Sequence, residues 1–237
     1  MEAEMFKQFG ASGFNDGVDG QGLANPAIAR SGQLDPLLAL EGIGARRSFA
    51  RDQEIYAEGD PSDAWYKVVL GTVRISKLLA DGRRYIAEFC FGGECFGLDT
   101  ASERGFSAEA VGEVVVMRYS RRATERLISE NAQLARCLCD MTLRDLAHAQ
   151  THMMLLGRMT APERVASFLL DMFERRDATR ALDLPMSRTD IADYLGLTIE
   201  TVCRVMSAFK RDGTIAIPTP QRIELRDRAA LATIGEA

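Results

Sequence analysis

The sequence predicts an α+β chain: an antiparallel β-roll, then one long helix, then a small helical unit closed by a hairpin. Three observations predict this. Residues 64–118 carry short runs of β-branched and aromatic residues separated by glycine turns, as consecutive antiparallel strands do. Residues 131–158 place apolar residues at alternating spacings of four and three, the signature of a helix with a packed seam. Residues 187–213, SRTDIADYLGLTIETVCRVMSAFKRDG, hold two short helical periods on either side of Gly196. At 237 residues the chain is long enough for two modest domains with a real core.

Taken in order, residues 1–35 are interrupted by Gly10, Gly13, Gly17, Gly20, Gly22 and Gly32. They offer little apolar surface to offset the entropy of ordering, so a flexible N-terminal arm is expected. Residues 36–130 are expected to form a β-roll. Strands are predicted at 64–70, 73–79, 84–91, 106–111 and 114–118, and Asp81-Gly82 is a strong hairpin signal. A compact β-roll or jelly-roll-like barrel would close these strands and leave few free edges.

The long helix is predicted over 131–159, with Asn131 as its cap. Leu134, Leu138, Met141, Asp145, His148, His152, Leu155 and Met159 form one heptad seam. Leu143, Leu146, Met153 and Met154 form a second stripe. A helix with two apolar faces should lie between a partner and its own domain. The heptad seam is therefore expected to make a parallel homodimer, with Asp145, His148 and His152 setting register. The second stripe is expected to pack on the β-roll.

Residues 160–237 form the last unit. A helix is expected over 163–174, just after Pro162, with Val165, Ala166, Phe168, Leu169 and Met172 available for burial. Ser187 and Asp190 have capping-box spacing. Ile191, Ala192 and Leu195 form an inner face, and Gly196 ends the helix. Thr198 can cap the next helix, whose Val202, Val205, Met206 and Phe209 also fall on one face. Glu200, Arg204, Ser207 and Arg211 fall on another, with Cys203 beside them. Residues 213–217 and 223–225 read as a small hairpin bent at Pro218 and Pro220, and 227–234 as a terminal helix.

The inner faces are core. The outer face of the second helix has the chemistry of a base reader. Arginine pairs bidentately with guanine O6 and N7, glutamate accepts from cytosine N4, and a short helix fits the major groove. Glu200, Cys203, Arg204 and Ser207, with Thr198 and Arg188 at the starts of the two helices, form the expected DNA-contacting set. The same periodicity also describes an ordinary helical hairpin with a solvated face.

The residues that separate these readings are Ile199-Glu200-Thr201-Val202-Cys203-Arg204 and Lys210-Arg211-Asp212-Gly213-Thr214-Ile215. They resemble the start of the recognition helix and the exit into the wing in the CRP/FNR family of bacterial transcription regulators. The resemblance extends over roughly residues 36–225. It implies a cyclic-nucleotide-binding-like β-roll, a central dimerisation helix and a C-terminal winged helix-turn-helix. It also implies double-stranded DNA with an inverted-repeat operator and RNA polymerase as partners. Glu58-Gly59-Asp60, Gly71, Gly82 and Gly93-Glu94 match the pattern of the family's β-roll.

Nucleotide-binding members use a Glu on the ribose and an Arg, followed by Ser, on the cyclic phosphate. Glu94 matches the first and Arg104 the second, but Gly105 stands in place of the Ser. Ala149 and Gln150 replace the Thr-Ser that reads adenine. Cyclic-nucleotide control is therefore not expected, and Arg104 reads better as an internal ion-pair partner.

The five cysteines at 90, 95, 137, 139 and 203 do not resemble a secreted disulfide framework. The sequence MEAEMFKQFG lacks the basic start and apolar run of a signal peptide, and no run approaches 18 apolar residues. A cytoplasmic address without membrane contact is expected. The net charge of −5 argues mildly against nucleic acid, but docking depends on local charge.

No cysteine precedes Cys90, and the four at 90, 95, 137 and 139 match no cluster spacing. Cys137-x-Cys139 and His148-x3-His152 have zinc-ligand types, yet residues two apart point to different sides of a helix. No cofactor or metal is expected. No nucleophile–base pair is recognisable, so the chain is not expected to be an enzyme.

Cys203 occupies the position that FNR-like proteins fill with Ser in Glu-x-x-Ser-Arg. It reads either as a small half-buried hydrophobe or as a redox-sensitive thiol beside DNA. The retained Glu200 and Arg204, without the pocket residues or cluster cysteines, resemble the FixK-like branch. That resemblance implies an activator of low-oxygen respiration, denitrification or nitrogen-fixation genes, binding a TTGA-like inverted repeat without cyclic nucleotide. The alternative is an effector-gated regulator with a small ligand in the β-roll.

Overall fold

The computed structural model describes residues 36–40 and 42–235. The expected N-terminal arm lies outside the described residues. A short 3-10 helix, Pro36–Leu40, leads into the strands β1 (Gly44–Phe49), β2 (Glu54–Tyr56), β3 (Ala64–Leu70), β4 (Val73–Leu78), β5 (Arg84–Cys90), β6 (Cys95–Phe96), β7 (Ser107–Ala110) and β8 (Val114–Ser120). They build two four-stranded antiparallel sheets, ordered β1-β8-β3-β6 and β2-β7-β4-β5. Tyr66, Val68, Val73, Phe96, Ala108 and Val116 fill the space between them. Gly71 turns the chain between β3 and β4 at φ 91°, and a Cβ there would collide with the Glu113 carbonyl.

The strand signals place β3 at its expected bounds and β4, β5, β7 and β8 to within two residues. Three strands of this region, β1, β2 and β6, and a helix left no such signal. β1, GARRSF, is largely exposed, so it has no apolar alternation. It is ordered by its ladder to β8, with Gly44 opposite Tyr119. α1 (Arg121–Glu130) is strongly polar and buries only Thr124. That hydroxyl accepts from the Trp65 indole N–H at 3.0 Å, which seats the helix on β3.

α2 (Ala132–Arg158) is 27 residues long, about 40 Å at 1.5 Å per residue. Asn131 caps it by accepting from the N–H groups of Gln133 and Leu134 at 3.1 and 3.0 Å. Its expected seam faces the wrong way for a dimer. Leu134 and Leu138 are buried against Trp65, Tyr119 and Leu40 of their own chain, with Met141 half-buried beside them.

Farther along, His148 lies between Glu88 and Asp171, and His152 between other core groups. His152 Nε2 is 3.0 Å from the Tyr194 carbonyl, and its ring stacks on Tyr194 at 4.1 Å. Leu155 is buried and Met159 half-buried in the core of the C-terminal unit. Asp145 is exposed on the edge of this face. The stripe expected to cover the β-roll faces solvent instead: Leu143, Leu146, Met153 and Met154 are 56, 52, 65 and 56% exposed. Spacing alone could not choose between the two faces, because both obey it. The choice was made by the aromatic cluster on the outside of β3 and β8 and by polar partners that only the fold brings to His148 and His152.

The C-terminal unit contains α3 (Ala161–Arg175), β9 (Ala181–Asp183), α4 (Arg188–Leu195), α5 (Ile199–Arg211), β10 (Ile215–Ala216), β11 (Arg222–Leu225) and α6 (Arg228–Gly235). The expected hairpin is widened by β9 into a three-stranded sheet, β10-β11-β9. Arg164 ties the helices together by donating to the carbonyls of Leu156, Met159 and Leu195 at 2.8, 2.9 and 2.9 Å. It thereby satisfies carbonyls left unpaired at the ends of α2 and α4. One apolar core runs from Ile86, Phe89, Phe91 and Val111 of the β-roll into Phe168, Leu169, Met172 and Ile191. No helix of the described residues is long and apolar enough to cross a membrane.

Candidate nucleic-acid interface

The interface begins with α4. The Asp190 N–H donates to Ser187 Oγ and the Ser187 N–H to Asp190 Oδ2, both at 3.0 Å. This is the reciprocal capping box that the sequence spacing predicts. Gly196 ends α4 in the left-handed region, φ 61° and ψ 38°. Thr198 then starts α5 by accepting from the Thr201 N–H at 3.3 Å. Only two residues separate Gly196's turn from the first turn of α5, so the two helices are held at a fixed angle by local chemistry.

α5 is sharply two-sided. Val202, Val205, Met206 and Phe209 are buried, while Glu200, Cys203, Arg204 and Ser207 are exposed. The exposed four follow spacings of three, one and three, which makes one continuous strip. Among the described residues Arg204 makes no ion pair, so all its donors are free for a ligand. Hydrogen bonds from its own N–H and from the Thr198 hydroxyl hold the Glu200 carboxyl below the usual range, keeping it an acceptor. Lys210 and Arg211 add positive charge at the last turn.

Arg188, expected in the DNA-contacting set, is anchored within the fold. It is half-buried, with Nη1 against Met206 Sδ and Nη2 donating to the Pro220 carbonyl at 2.8 Å. Burial depresses its pKa, and the nearby Cys203 opposes that depression. Arg188 is therefore a strut joining α4, α5 and the hairpin, and Cys203 lies within its electrostatic reach. Thr198 is exposed, but its hydroxyl is engaged as a cap and with Thr201 Oγ1 at 3.2 Å.

In the β-roll, Glu94 and Arg104 do not converge on one pocket. Both Glu94 oxygens accept from Arg175 of α3, at 2.7 and 3.2 Å, and Oε2 also accepts from the Phe91 N–H at 2.8 Å. Arg104 is buried, 2.6 Å from Asp99, donating to the carbonyls of Gly97 and Ala64, with its guanidinium over the Tyr56 ring at 4.2 Å.

Comparison with known proteins identifies this arrangement. A Crp-like helix-turn-helix domain matches residues 163–234, and a cyclic nucleotide-binding domain matches residues 46–131. The nitrogen fixation regulation protein FixK of Azorhizobium caulinodans is 43% identical over 209 residues, covering 86% of this chain and 84% of that one. The chain belongs to the CRP/FNR family. The structure of FixK2 from Bradyrhizobium japonicum superposes with a TM-score of 0.79 at 42% identity, covering 82% of this chain and 98% of that one. AadR of Rhodopseudomonas palustris, a transcriptional activatory protein, is 34% identical over 206 residues, covering 84% and 86% of the two chains. These relatives are named as regulators and activators, not as enzymes.

As a CRP/FNR protein this chain is a transcription regulator that binds DNA through its helix-turn-helix, Arg188–Arg211. Its cysteines divide into buried and accessible groups. Cys90 and Cys95 are buried, and burial pushes the Cys95 thiol up to about 12 and the Cys90 thiol well above its ordinary value. Cys139 and Cys203 are exposed. Sequence reasoning missed the arginines that join this interface to the β-roll: Arg74, Arg84 and Arg175. An Arg at position 74, between Val73 and Ile75 in a buried strand, was the one available signal.

Proposed function

We propose that the chain is a FixK-type homodimeric activator that binds an inverted-repeat operator without a cyclic nucleotide. One observation carries the reading: α5 presents Glu200 and Arg204 outward, unpaired with any acid or base, above a fully buried inner face. The similarity to proteins named as nitrogen fixation regulators supports genes of nitrogen fixation or low-oxygen metabolism as targets. RNA polymerase is the protein partner, and the cytoplasm is the site of action. The internal engagement of Arg104 by Asp99 and of Glu94 by Arg175 supports independence from cyclic nucleotides.

The dimer forms through the outward face of α2. Cys139, Leu143, Leu146, Gln150, Met153 and Gly157 follow four-three spacing there, and all are exposed. Two α5 helices related by the dimer axis would meet half-sites about 34 Å apart, each TTGA-like. Cys203, one residue before Arg204, makes binding sensitive to peroxide. Its sulfinate would put negative charge beside phosphate, whereas Cys203→Ser would bind and resist.

Selection from randomised duplexes, without cyclic nucleotide, tests the reading. The wild type should enrich an inverted TTGA-like repeat, and Arg204→Ala should lose about 1–3 kcal/mol of discrimination per guanine contact. Retention of the same base preference by Arg204→Ala removes Arg204 from the reading role. Tight cyclic-AMP binding coupled to operator affinity overturns nucleotide independence.

A further inference from the structure

Two clusters of ion pairs join the helix-turn-helix unit to its own β-roll. In the first, Asp190 Oδ1 of α4 accepts from Arg84 Nη2 of β5 at 2.5 Å and from Arg74 Nη1 of β4 at 3.5 Å. Asp193 Oδ2 accepts from Arg84 Nε at 2.8 Å. Arg74 is held in turn by Glu109 at 2.7 Å and Asp52 at 3.2 Å, so its aim is set within the sheet. In the second, Arg175 of α3 donates to Glu88 at 2.9 Å, to Glu94 at 2.7 Å and to the Phe89 carbonyl at 2.6 Å. His148 of α2 completes it, 2.8 Å from Glu88 and 3.6 Å from Asp171.

These groups do something the apolar contacts cannot. The shared core around Phe89 and Tyr194 attracts without direction. Guanidinium–carboxylate pairs are directional and half-buried, so a rotated pose would leave charges without partners. The covalent link is short: between α2 and α3 lie only Met159 and Thr160, both extended. In the clamped pose the Glu200–Ser207 strip stays exposed. Glu94, which the family resemblance assigns to a ribose, is here spent on Arg175.

We propose that Arg84 and Arg175 are positioning residues for operator recognition: they pin the helix-turn-helix unit to the β-roll in the DNA-competent pose, in place of a bound effector. The proposal rests on the nucleotide-independent reading above and explains it. Neither residue touches DNA. Each acts by raising the population of the pose in which α5 is presented.

The experiment uses the full chain and the operator selected by the wild type. Operator affinity is measured by fluorescence anisotropy for Arg84→Ala, Arg175→Ala, the double variant and Arg84→Lys. Trypsin cleavage after the exposed Arg158 reports opening between the units, and thermal melting reports folding. If the competent pose falls to about a tenth of the population, affinity falls about tenfold. The double variant should show at least that loss, cleave faster after Arg158 and keep its affinity for random-sequence DNA. Arg84→Lys keeps the cation but loses the fork that reaches both Asp190 and Asp193, so it should recover only part of the affinity.

Double-variant affinity unchanged, with unchanged cleavage, overturns the proposal. So does tighter operator binding, which would make the clamp inhibitory. If Arg175→Ala fails to fold, a folded Arg84→Ala with wild-type affinity and cleavage overturns it alone. A wild type that selects no operator defeats the functional reading instead, while the cleavage comparison still decides the clamp.

Discussion

The two faces of α2 have the same spacing and opposite fates. The inward face carries polar groups, Asp145 at its edge and then His148 and His152, yet it is the buried one. The outward face carries four large apolar side chains without a histidine, yet it meets solvent. Hydrophobicity alone would rank them the other way. The inward face succeeds because each buried polar group finds a partner: His148 has Glu88 and Asp171, and His152 has the Tyr194 carbonyl. The outward face finds no such partners within its own chain among the described residues, and under the proposed dimer its apolar side chains would be covered by a second copy.

The strongest way to break this comparison is to charge each face. Leu143→Asp with Met153→Asp should yield monomers that fold but lose specific operator binding, read by sedimentation and anisotropy. Leu138→Asp should instead unfold the chain, since a carboxylate without a partner would enter the Trp65 cluster. A folded monomer from Leu138→Asp, or an unchanged dimer from the outward pair, would reverse the two faces.

A smaller effect is expected from truncation. Leu155→Ala should destabilise the chain by about 2–5 kcal/mol, because Leu155 is buried in the C-terminal core. Met154→Ala, one residue earlier and exposed, should leave the stability of the monomer nearly unchanged. Chemical denaturation of both variants in a monomeric background separates them.

Cross-linking sharpens the outward face further. Cys139 begins its four-three series and is exposed, so it should meet its counterpart near the dimer axis. Mild copper-catalysed oxidation of the thiol pair should give a covalent dimer on a non-reducing gel, and Cys139→Ser should abolish it. Equal cross-linking through Cys203 would place the axis elsewhere.

The smallest effect concerns the histidine of the inward face. The carboxylates of Asp171 and Glu88 on either side of the ring push the His148 pKa up to about 10. A histidine raised in the folded state contributes its full stabilisation below its unfolded value of about 6.5. That contribution is lost as pH rises through about 10. The melting difference between wild type and His148→Gln should therefore be largest near pH 6 and shrink towards pH 10. A difference that grows with pH would show that His148 acts through its neutral form.

Local features were legible because they are settled by a few adjacent residues. Asn131, the Ser187–Asp190 box, Gly196 and Thr198 each satisfy or release backbone groups within three positions, and each was readable. So was the division of α5 into a buried and an exposed face, which depends only on its period. β1, α1 and β9 were not, since their order comes from ladders and contacts with distant residues rather than from their own pattern. The internal contacts of Arg188 were not readable, because its acceptor, the Pro220 carbonyl, is 32 residues away.

By itself, then, the amino-acid order determined the order of the units, the caps of the helices and the four side chains offered by α5, because these follow from periodicity and short-range hydrogen bonding. Only the tertiary structure decided which face of α2 turns inward, which arginines are struts, and how the helix-turn-helix is held against the β-roll. Those outcomes depend on pairing groups far apart in the chain, from 32 positions for Arg188 with Pro220 to 116 for Arg74 with Asp190. No local pattern encodes which of several equally spaced charges will meet.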